Sequence, residues 1–134
     1  MRKFLRAAGR AEPIIFCALA SLLFLFTSCD REAERAAAGM TGGDPARGMA
    51  AISRYGCATC HTVPGVSGAN GLVGPPLGQV ASRVYLAGRL QNTLDNMIQW
   101  IRNPQGVDEK TAMPNLGVTD TDARDITSYL YTLK

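Results

Sequence analysis

Apolar residues recur at helical spacing in three stretches of the chain. Because residues three and four apart share one face of a helix, the spacing predicts helices over residues 45–55, over 94–102, and from 119 towards the C-terminus. The three apolar faces carry, in order, Gly48, Ile52 and Tyr55; Leu94, Met97, Ile98 and Ile101; and Ala123, Ile126, Tyr129, Leu130 and Leu133.

The residue before each stretch suits a helix N-cap. Asp44 precedes Pro45, which fits the first helical position. Thr93 precedes the second stretch, and Thr119 precedes the third with Asp122 as a capping-box partner. These caps support the three predicted helix starts.

Long segments rich in glycine and proline separate the helices, at residues 62–76 and 105–118. No convincing pair of strands is evident between them. The pattern predicts an all-α fold of three main helices and long loops. Large apolar side chains are few for a domain of this size, so a bound group is expected to complete the core, and the chain without it is expected to be largely unfolded.

The first 28 residues predict a signal peptide rather than part of the fold. Four basic residues precede an apolar run over residues 14–26, broken only by Ser21. Thirteen residues are short for a membrane-spanning helix, which needs about 20. Residues 1–28 are therefore predicted to direct export.

The sequence Phe26-Thr27-Ser28-Cys29 resembles the lipobox of bacterial lipoproteins, with Phe26 where leucine is usual. The resemblance implies a lipid on Cys29, and Asp30 after it is typical of retention in the inner membrane. Several acyl chains would anchor the chain stably. The alternatives are a signal retained as an anchor and cleavage nearby that frees a soluble domain.

Residues 29–43 are charged, then rich in alanine and glycine, and lack large apolar side chains. They predict a lipid anchor and a flexible tether with a mean reach of about 20 Å. Residues 44–134 then form one small domain.

The charge of the mature chain is balanced. The formal charge of +3 includes four basic residues and one acidic residue in the first 28, and removing these leaves ten of each sign. Nucleic-acid binding therefore has no electrostatic support. A strongly basic docking face is not evident either.

The motif Cys57-Ala58-Thr59-Cys60-His61 is typical of covalent attachment of one haem c, with His61 the only histidine in the chain. Two thiols three residues apart match the two vinyl groups of the porphyrin, and the next residue falls beneath the iron. A closed zinc site would need four ligands, but the other cysteines, Cys17 and Cys29, lie in the N-terminal segment. A redox dithiol normally follows a strand, and a structural disulfide would not call for the histidine.

The second axial position of the iron has one favoured candidate, Met113. It lies in a loop 52 residues beyond His61, with Pro114 fixing the backbone beside it. Of the alternatives, Met97 fits the apolar core, and Lys110 would need a depressed pKa to coordinate. Histidine below and methionine above leave no site open for oxygen or peroxide, which indicates electron transfer.

The residues from Asp44 to Lys134 resemble a bacterial class I cytochrome c. Besides the haem motif, the shared motifs are Gly74-Pro75-x-Leu77, Trp100-Ile101-x-x-Pro104, Met113-Pro114 and Asp125-Ile126-x-x-Tyr129-Leu130. The resemblance implies the small cytochrome c fold wrapped around one covalently attached haem.

The same resemblance implies roles for single residues. The Pro75 carbonyl would accept a hydrogen bond from the His61 ring, and Leu77 and Ile101 would pack on the porphyrin. Arg83 would pair with a propionate, and the ring of Trp100 would lie near the haem. Simpler roles stay open: Pro75 as a turn residue, Arg83 as a solvated charge and Trp100 as core. Tyr85, Arg89 and Asn92 are further candidates for a propionate, and Gly48 would meet the last helix near Tyr129.

The runs at residues 80–83, 92–93 and 100–105 are similar to cytochrome domains fused to subunit two of heme-copper oxidases. This implies a carrier, not an enzyme, on the periplasmic side of the inner membrane. It would take one electron from a quinol-oxidising complex or a dehydrogenase and pass it to a terminal oxidase, with no small-molecule substrate. The alternative is a cytochrome c subunit of a periplasmic dehydrogenase or oxidase complex; a peroxidase or a sensor is less well supported.

Overall fold

The computed structural model describes residues 30–134, so the predicted signal peptide and Cys29 lie outside the described residues. The chain divides into two units, Met1–Glu32 and Ala33–Lys134. Within the described residues no helix is both long enough and apolar enough to cross a bilayer. The helices are α1 (30–41), α2 (Pro45–Arg54), α3 (Leu94–Arg102), α4 (Pro104–Val107) and α5 (Asp120–Leu130), with single 3-10 turns at Cys57–Thr59 and Val80–Ser82.

The predicted helix starts and the all-α class are confirmed. The side chains of Asp44, Thr93 and Thr119 cap α2, α3 and α5, each by accepting a hydrogen bond from a backbone N–H three residues on. The core forms where α2, α3 and α5 meet the loop from residue 63 to residue 80. Its larger buried side chains are Ile52, Val63, Val66, Val80, Leu86, Met97, Ile98, Ile101, Val118, Ile126 and Leu130.

Helices α2 and α5 approach most closely at Gly48. A Cβ atom there would overlap the carbonyl of Asp125, so any side chain would push the two backbones apart. The sequence predicted that Gly48 would meet α5 near Tyr129. That prediction was wrong, because the contact lies at Asp125, one helical turn earlier. Tyr129 instead donates its hydroxyl to the Pro64 carbonyl at 2.6 Å, and so holds α5 against the loop that follows the cysteine motif.

The segment predicted as a flexible tether differs from that expectation, because residues 30–41 are helical. Ala37 and Thr41 are 1% and 2% exposed, and the Arg124 side chain donates to the Thr41 carbonyl at 3.4 Å. The small side chains of this segment permit close packing on α5, and tertiary packing stabilises a helix too short to form alone. Residues 33–43 thus belong to the folded unit.

A two-stranded antiparallel hairpin, β1 (Tyr85–Leu86) with β2 (Leu90–Gln91), also departs from the prediction that no strands pair. Its turn places Ala87 and Gly88 at φ +50° and +68°, and the Arg89 N–H donates to the Leu86 carbonyl at 3.0 Å. Strands of two residues are too short to show an alternating pattern, so only Gly88 signals this turn.

Helix α4 interrupts the stretch predicted as irregular from residue 105. Pro104, expected only to stop α3, occupies the first position of α4. The Asn103 side chain accepts a hydrogen bond from the Gly106 N–H at 3.1 Å and so caps the new helix. An Asn-Pro pair can therefore end one helix and begin another.

Candidate haem site

One cavity of about 630 Å³ lies between the cysteine motif, the loop at residues 73–83, helix α3 and the loop at residues 108–116. Its volume falls in the range of pockets that enclose an organic ligand. The nine residues that the sequence assigned to cofactor binding in the domain all line it: Cys57, Cys60, His61, Pro75, Leu77, Arg83, Trp100, Ile101 and Met113.

The end of α2 presents the two thiols to this cavity. Gly56 leaves the helix with φ +73°, and a 3-10 turn at Cys57–Thr59 follows. The N–H groups of Cys60 and His61 both donate to the Cys57 carbonyl, at 3.2 Å and 3.0 Å. This single turn gathers all three side chains on one wall.

Both thiols are free and half-buried, and burial raises the pKa of Cys57 above its ordinary value. Within residues 30–134 no group of three or more His, Cys, Asp and Glu side chains is arranged to hold a metal ion. A closed zinc site needs four such ligands. The described residues therefore do not provide the four ligands of a closed zinc site around this pair.

The His61 ring is fixed by its backbone neighbours. Its Nδ1 lies 2.7 Å from the Pro75 carbonyl oxygen, so Nδ1 carries the proton of this hydrogen bond and Nε2 is the nitrogen left for a metal. The Gly74 N–H donates to the Cys60 carbonyl at 2.8 Å, which brings the loop against the ring. The hydrogen bond to Pro75 that the resemblance implied is present in the structure, and it sets the tautomer that a metal ligand needs.

Met113 lines the same cavity from the loop after α4. Its N–H donates to the Thr111 hydroxyl at 3.2 Å, and its carbonyl accepts from the Gln105 side chain at 2.7 Å. Met97 also lines the cavity. Its side chain is only 2% exposed, however, and packs from α3 into the hydrophobic core, as the apolar stripe predicts. A thioether and an imidazole thus reach one apolar cavity from different loops.

Arg83 lines the cavity and also forms hydrogen bonds to the backbone of the neighbouring loop. One guanidinium nitrogen, Nη2, donates to the carbonyls of Pro76 and Gly78, the latter at 3.2 Å. Its other nitrogens remain available to an acidic group. The further propionate candidates Tyr85, Arg89 and Asn92 are not among the residues that line the cavity. Arg89 pairs instead with Asp108 at 3.2 Å, and Asn92 donates to two backbone carbonyls.

Several lining residues were not found from the sequence. Leu86 and Ala87 come from the hairpin, whose strands were too short to predict, and Asp108 follows the unexpected helix α4. Gly74 could have been found from the sequence, because a glycine before the motif proline marks a place where another group comes close to the backbone. A Cβ atom on Gly74 would lie 2.7 Å from His61 Nδ1, so only glycine fits against the ring.

A second depression of about 650 Å³, between α3 and the start of α5, has a different character. Its lining includes Asp120, which forms ion pairs with Arg102 and Arg124. None of the thiols, the imidazole or the thioether groups reaches it.

A model of the cytochrome c family matches residues 45–134. Subunit 2 of cytochrome c oxidase from Alkalihalophilus pseudofirmus is 30% identical over 89 residues. The match covers 66% of this chain and 25% of that protein, so the chain spans about a quarter of the length of the curated relative it matches. No solved structure matches significantly. On the match over residues 45–134, the chain belongs to the cytochrome c family of electron-transfer proteins, which carry covalently bound haem c.

Proposed function

We propose that this protein is a membrane-tethered one-electron carrier of a bacterial respiratory chain, with a single haem c held by His61 and Met113. One observation carries the proposal: two thiols, an imidazole with a free Nε2 and a thioether all line one apolar cavity. In this arrangement the haem would engage the two thiols, the imidazole and the thioether, which would leave none of the four to act on a substrate.

The residues fit the group in detail. Cys57 and Cys60 would form the thioether bonds, and the absence of any side chain at Gly74 makes room for the ring of the ligand His61. When bound, the haem supplies an iron that cycles between the ferric and ferrous states. Leu77, Trp100 and Ile101 exclude water from its faces, and Arg83 offers a charge-assisted bond to a propionate.

The two residues that would hold the iron, His61 and Met113, would decide its chemistry. A thioether is a soft, neutral ligand that stabilises ferrous iron and so raises the reduction potential. Bound to the iron, Met113 would leave no place for oxygen or peroxide. The Pro75 carbonyl opposes part of this effect, because its hydrogen bond makes the imidazole more basic. The residues therefore favour electron transfer over ligand activation.

The export signal at residues 1–28 and the lipobox-like Cys29 support a position on the periplasmic side of the inner membrane. The relative is an oxidase subunit, which supports delivery to a terminal oxidase. The donor would be a quinol-oxidising complex or a periplasmic dehydrogenase.

The alternative is a cytochrome c subunit that stays bound to a larger complex. It is favoured by the relative, in which the matching domain is a quarter of a longer subunit of such a complex. Mild detergent extraction separates the two: a free carrier runs at its own mass on a native gel, whereas a subunit runs with its complex. Mass spectrometry of the N-terminus tests the lipid on Cys29.

The ligand assignment is tested by Met113→Ala with Met97→Leu as the matched control. We expect Met113→Ala to lose the weak near-infrared sulfur-to-iron band, lower the reduction potential and let carbon monoxide bind the ferrous haem. Met97→Leu should keep all three wild-type properties, because leucine fills the same core space. A Met113→Ala variant that stays closed to carbon monoxide would contradict the assignment.

A further inference from the structure

Met113 lies on a stretch of backbone that has little support of its own. Residues 111–119 contain neither helix nor strand. Within the described part of the chain, no backbone–backbone hydrogen bond involves residues 112–118. The position of Met113 must therefore depend on side chains that reach its backbone.

Gln105 makes the contact that reaches Met113 from another element. Its Nε2 donates to the Met113 carbonyl at 2.7 Å, in a half-buried position. The bond between the Met113 N–H and the Thr111 hydroxyl spans only two residues and stays within the loop. Among the hydrogen bonds of residues 30–134, only the Gln105 bond ties residues 112–118 to a helix.

The helix that carries Gln105 is itself firmly held. Asn103 caps it through the Gly106 N–H, Pro104 is fully buried, and the Asp108 N–H returns to the Pro104 carbonyl at 2.9 Å. A Cβ atom on Gly106 would overlap the Asn103 amide. Because α4 follows α3 directly, Gln105 is fixed relative to the cavity wall formed by Trp100 and Ile101.

We propose that Gln105 is a positioning residue for the sixth ligand: it holds the backbone of Met113 so that the thioether stays directed into the haem cavity. The inference rests on the proposed ligation by Met113. Gln105 does not line the cavity and acts only through the ligand loop. Without it, the loop should open more often and the iron should become accessible to external ligands.

The donor chemistry of Gln105 makes the role testable without a large change of shape. Glutamate has nearly the same size, but its ionised carboxylate has no hydrogen to donate and would face the Met113 carbonyl with negative charge. Leucine removes the donor without adding charge. Gln99 is an exposed glutamine on α3, six residues earlier, and it supplies the matched controls.

The experiment compares Gln105→Glu and Gln105→Leu with Gln99→Glu and Gln99→Leu in the mature haem protein. One hydrogen bond shifts an equilibrium by roughly three- to tenfold. We therefore expect carbon monoxide to bind the ferrous form of both Gln105 variants roughly three- to tenfold faster. The near-infrared band should weaken and the potential should fall, while both Gln99 variants match the wild type. Melting temperatures show whether any variant is merely less stable.

Two outcomes separate failure of this inference from failure of the proposed ligation. If the wild type has the near-infrared band, Met113→Ala loses it, and both Gln105 variants keep the wild-type band and carbon monoxide rate, then Gln105 does not position the ligand. The same holds if the Gln105 variants only melt earlier. If Met113→Ala keeps the band, the ligand assignment itself is wrong and the inference falls with it.

Discussion

The backbone of Gly74 lies directly against the imidazole of His61: a Cβ atom at Gly74 would be 2.7 Å from Nδ1 and 2.9 Å from Nε2. Separations this short cannot be accommodated unless the ring moves. The ring, however, is held by its bond to Pro75. A side chain at position 74 must therefore disturb either the tautomer or the direction of Nε2.

We expect Gly74→Ala to weaken the bond from His61 to the iron. Protons then compete for the imidazole more effectively, so the acid-induced change to high-spin haem should occur at higher pH than in the wild type. Optical titration of the ferric protein measures this midpoint. Gly78→Ala is the control, since the nearest atom to its Cβ is Pro64 Cγ at 3.4 Å. Equal midpoints in the two variants would refute the prediction.

The packing of α1 and the residues after it predicts that alanine changes the stability of the fold in opposite directions at Gly39 and at Gly43. A Cβ atom on Gly43 would lie 2.5 Å from the Arg124 carbonyl oxygen, so Gly43→Ala should destabilise the fold by about 1–3 kcal/mol. Gly39 lies in α1 with nothing within 4 Å of its Cβ position. Gly39→Ala should therefore stabilise by about 1 kcal/mol through helix propensity.

Urea unfolding measures both effects in the mature protein. If residues 33–43 were the flexible tether that their composition predicts, neither substitution would change the free energy of unfolding. Opposite signs at Gly39 and Gly43 would show that this segment is part of the folded domain in solution.

The three main helices could be predicted because their signals are local. Asp44, Thr93 and Thr119 are capping residues, and the apolar spacing that follows each lies within one helix. Helix α1 could not be predicted in this way. Its stability comes from Ala37 and Thr41 packing in the tertiary fold, and alanine at a buried position looks the same in sequence as alanine in solvent.

The residues of the site also differ in whether their sequence signals are local. That the cysteine motif, Met113 and Pro75 meet at one cavity could be predicted because short motifs specify them. The partners of Arg83, Arg89 and Asn92 could not, because each depends on where a loop folds back. Gln105 falls in a motif, but its bond to Met113 needs the geometry of α4, which the sequence did not predict.

The contacts of the Asp125 carboxylate predict that the folded protein loses stability in acid. Its side chain is 3% exposed and accepts hydrogen bonds from Arg47 at 2.7 Å and 3.0 Å and from the Asp44 N–H at 2.7 Å. The bond from Arg47 lowers the pKa of the Asp125 carboxyl below its ordinary value of 3.8. A carboxyl with a lowered folded pKa contributes stability that is present above the unfolded pKa and is lost as the pH falls through the folded one.

We expect the free energy of unfolding of the wild type to decline below about pH 4. Asp125→Asn should lower it by about 1.5–3 kcal/mol at neutral pH and make the acid decline shallower, because the titrating group is gone. Asp95→Asn is the control, since Asp95 is exposed and has no ion pair within residues 30–134. An acid decline unchanged in Asp125→Asn would contradict the assignment.

The haem cavity predicts that the chain without haem does not fold cooperatively. Without haem, core residues such as Met97, Ile101 and Leu130 would face an empty cavity and lose the packing contacts that stabilise a core. The margin is small, because the whole stability of a typical domain is only about 5–15 kcal/mol. We expect haem-free chain to lack native-like near-ultraviolet circular dichroism, whereas the haem protein shows it. A cooperative melt of the haem-free chain would disprove this.

The surface at the mouth of the cavity predicts weak electrostatic steering of redox partners. Residues 55–82 and 111–119 contain no Asp, Glu, Lys or Arg, and residues 29–134 carry ten charges of each sign. Val73, which lines the cavity, is nevertheless 80% exposed. Steering by a charged cleft changes association rates by about 10- to 1,000-fold and fades with salt. Because the two charged residues that line the cavity, Arg83 and Asp108, have opposite signs, oxidation of the ferrous protein by ferricyanide should vary less than about threefold across physiological ionic strength.

Two matched lysine substitutions test whether the mouth of the cavity is where electrons leave. Val73→Lys places a positive charge on the exposed rim, so anionic ferricyanide should react faster at low salt and slow as salt screens the charge. Val84→Lys places the same charge on a residue that is 72% exposed but does not line the cavity. Its rate should change less, because the charge lies off the path of approach. Equal responses of the two variants would show that the electron leaves by another face.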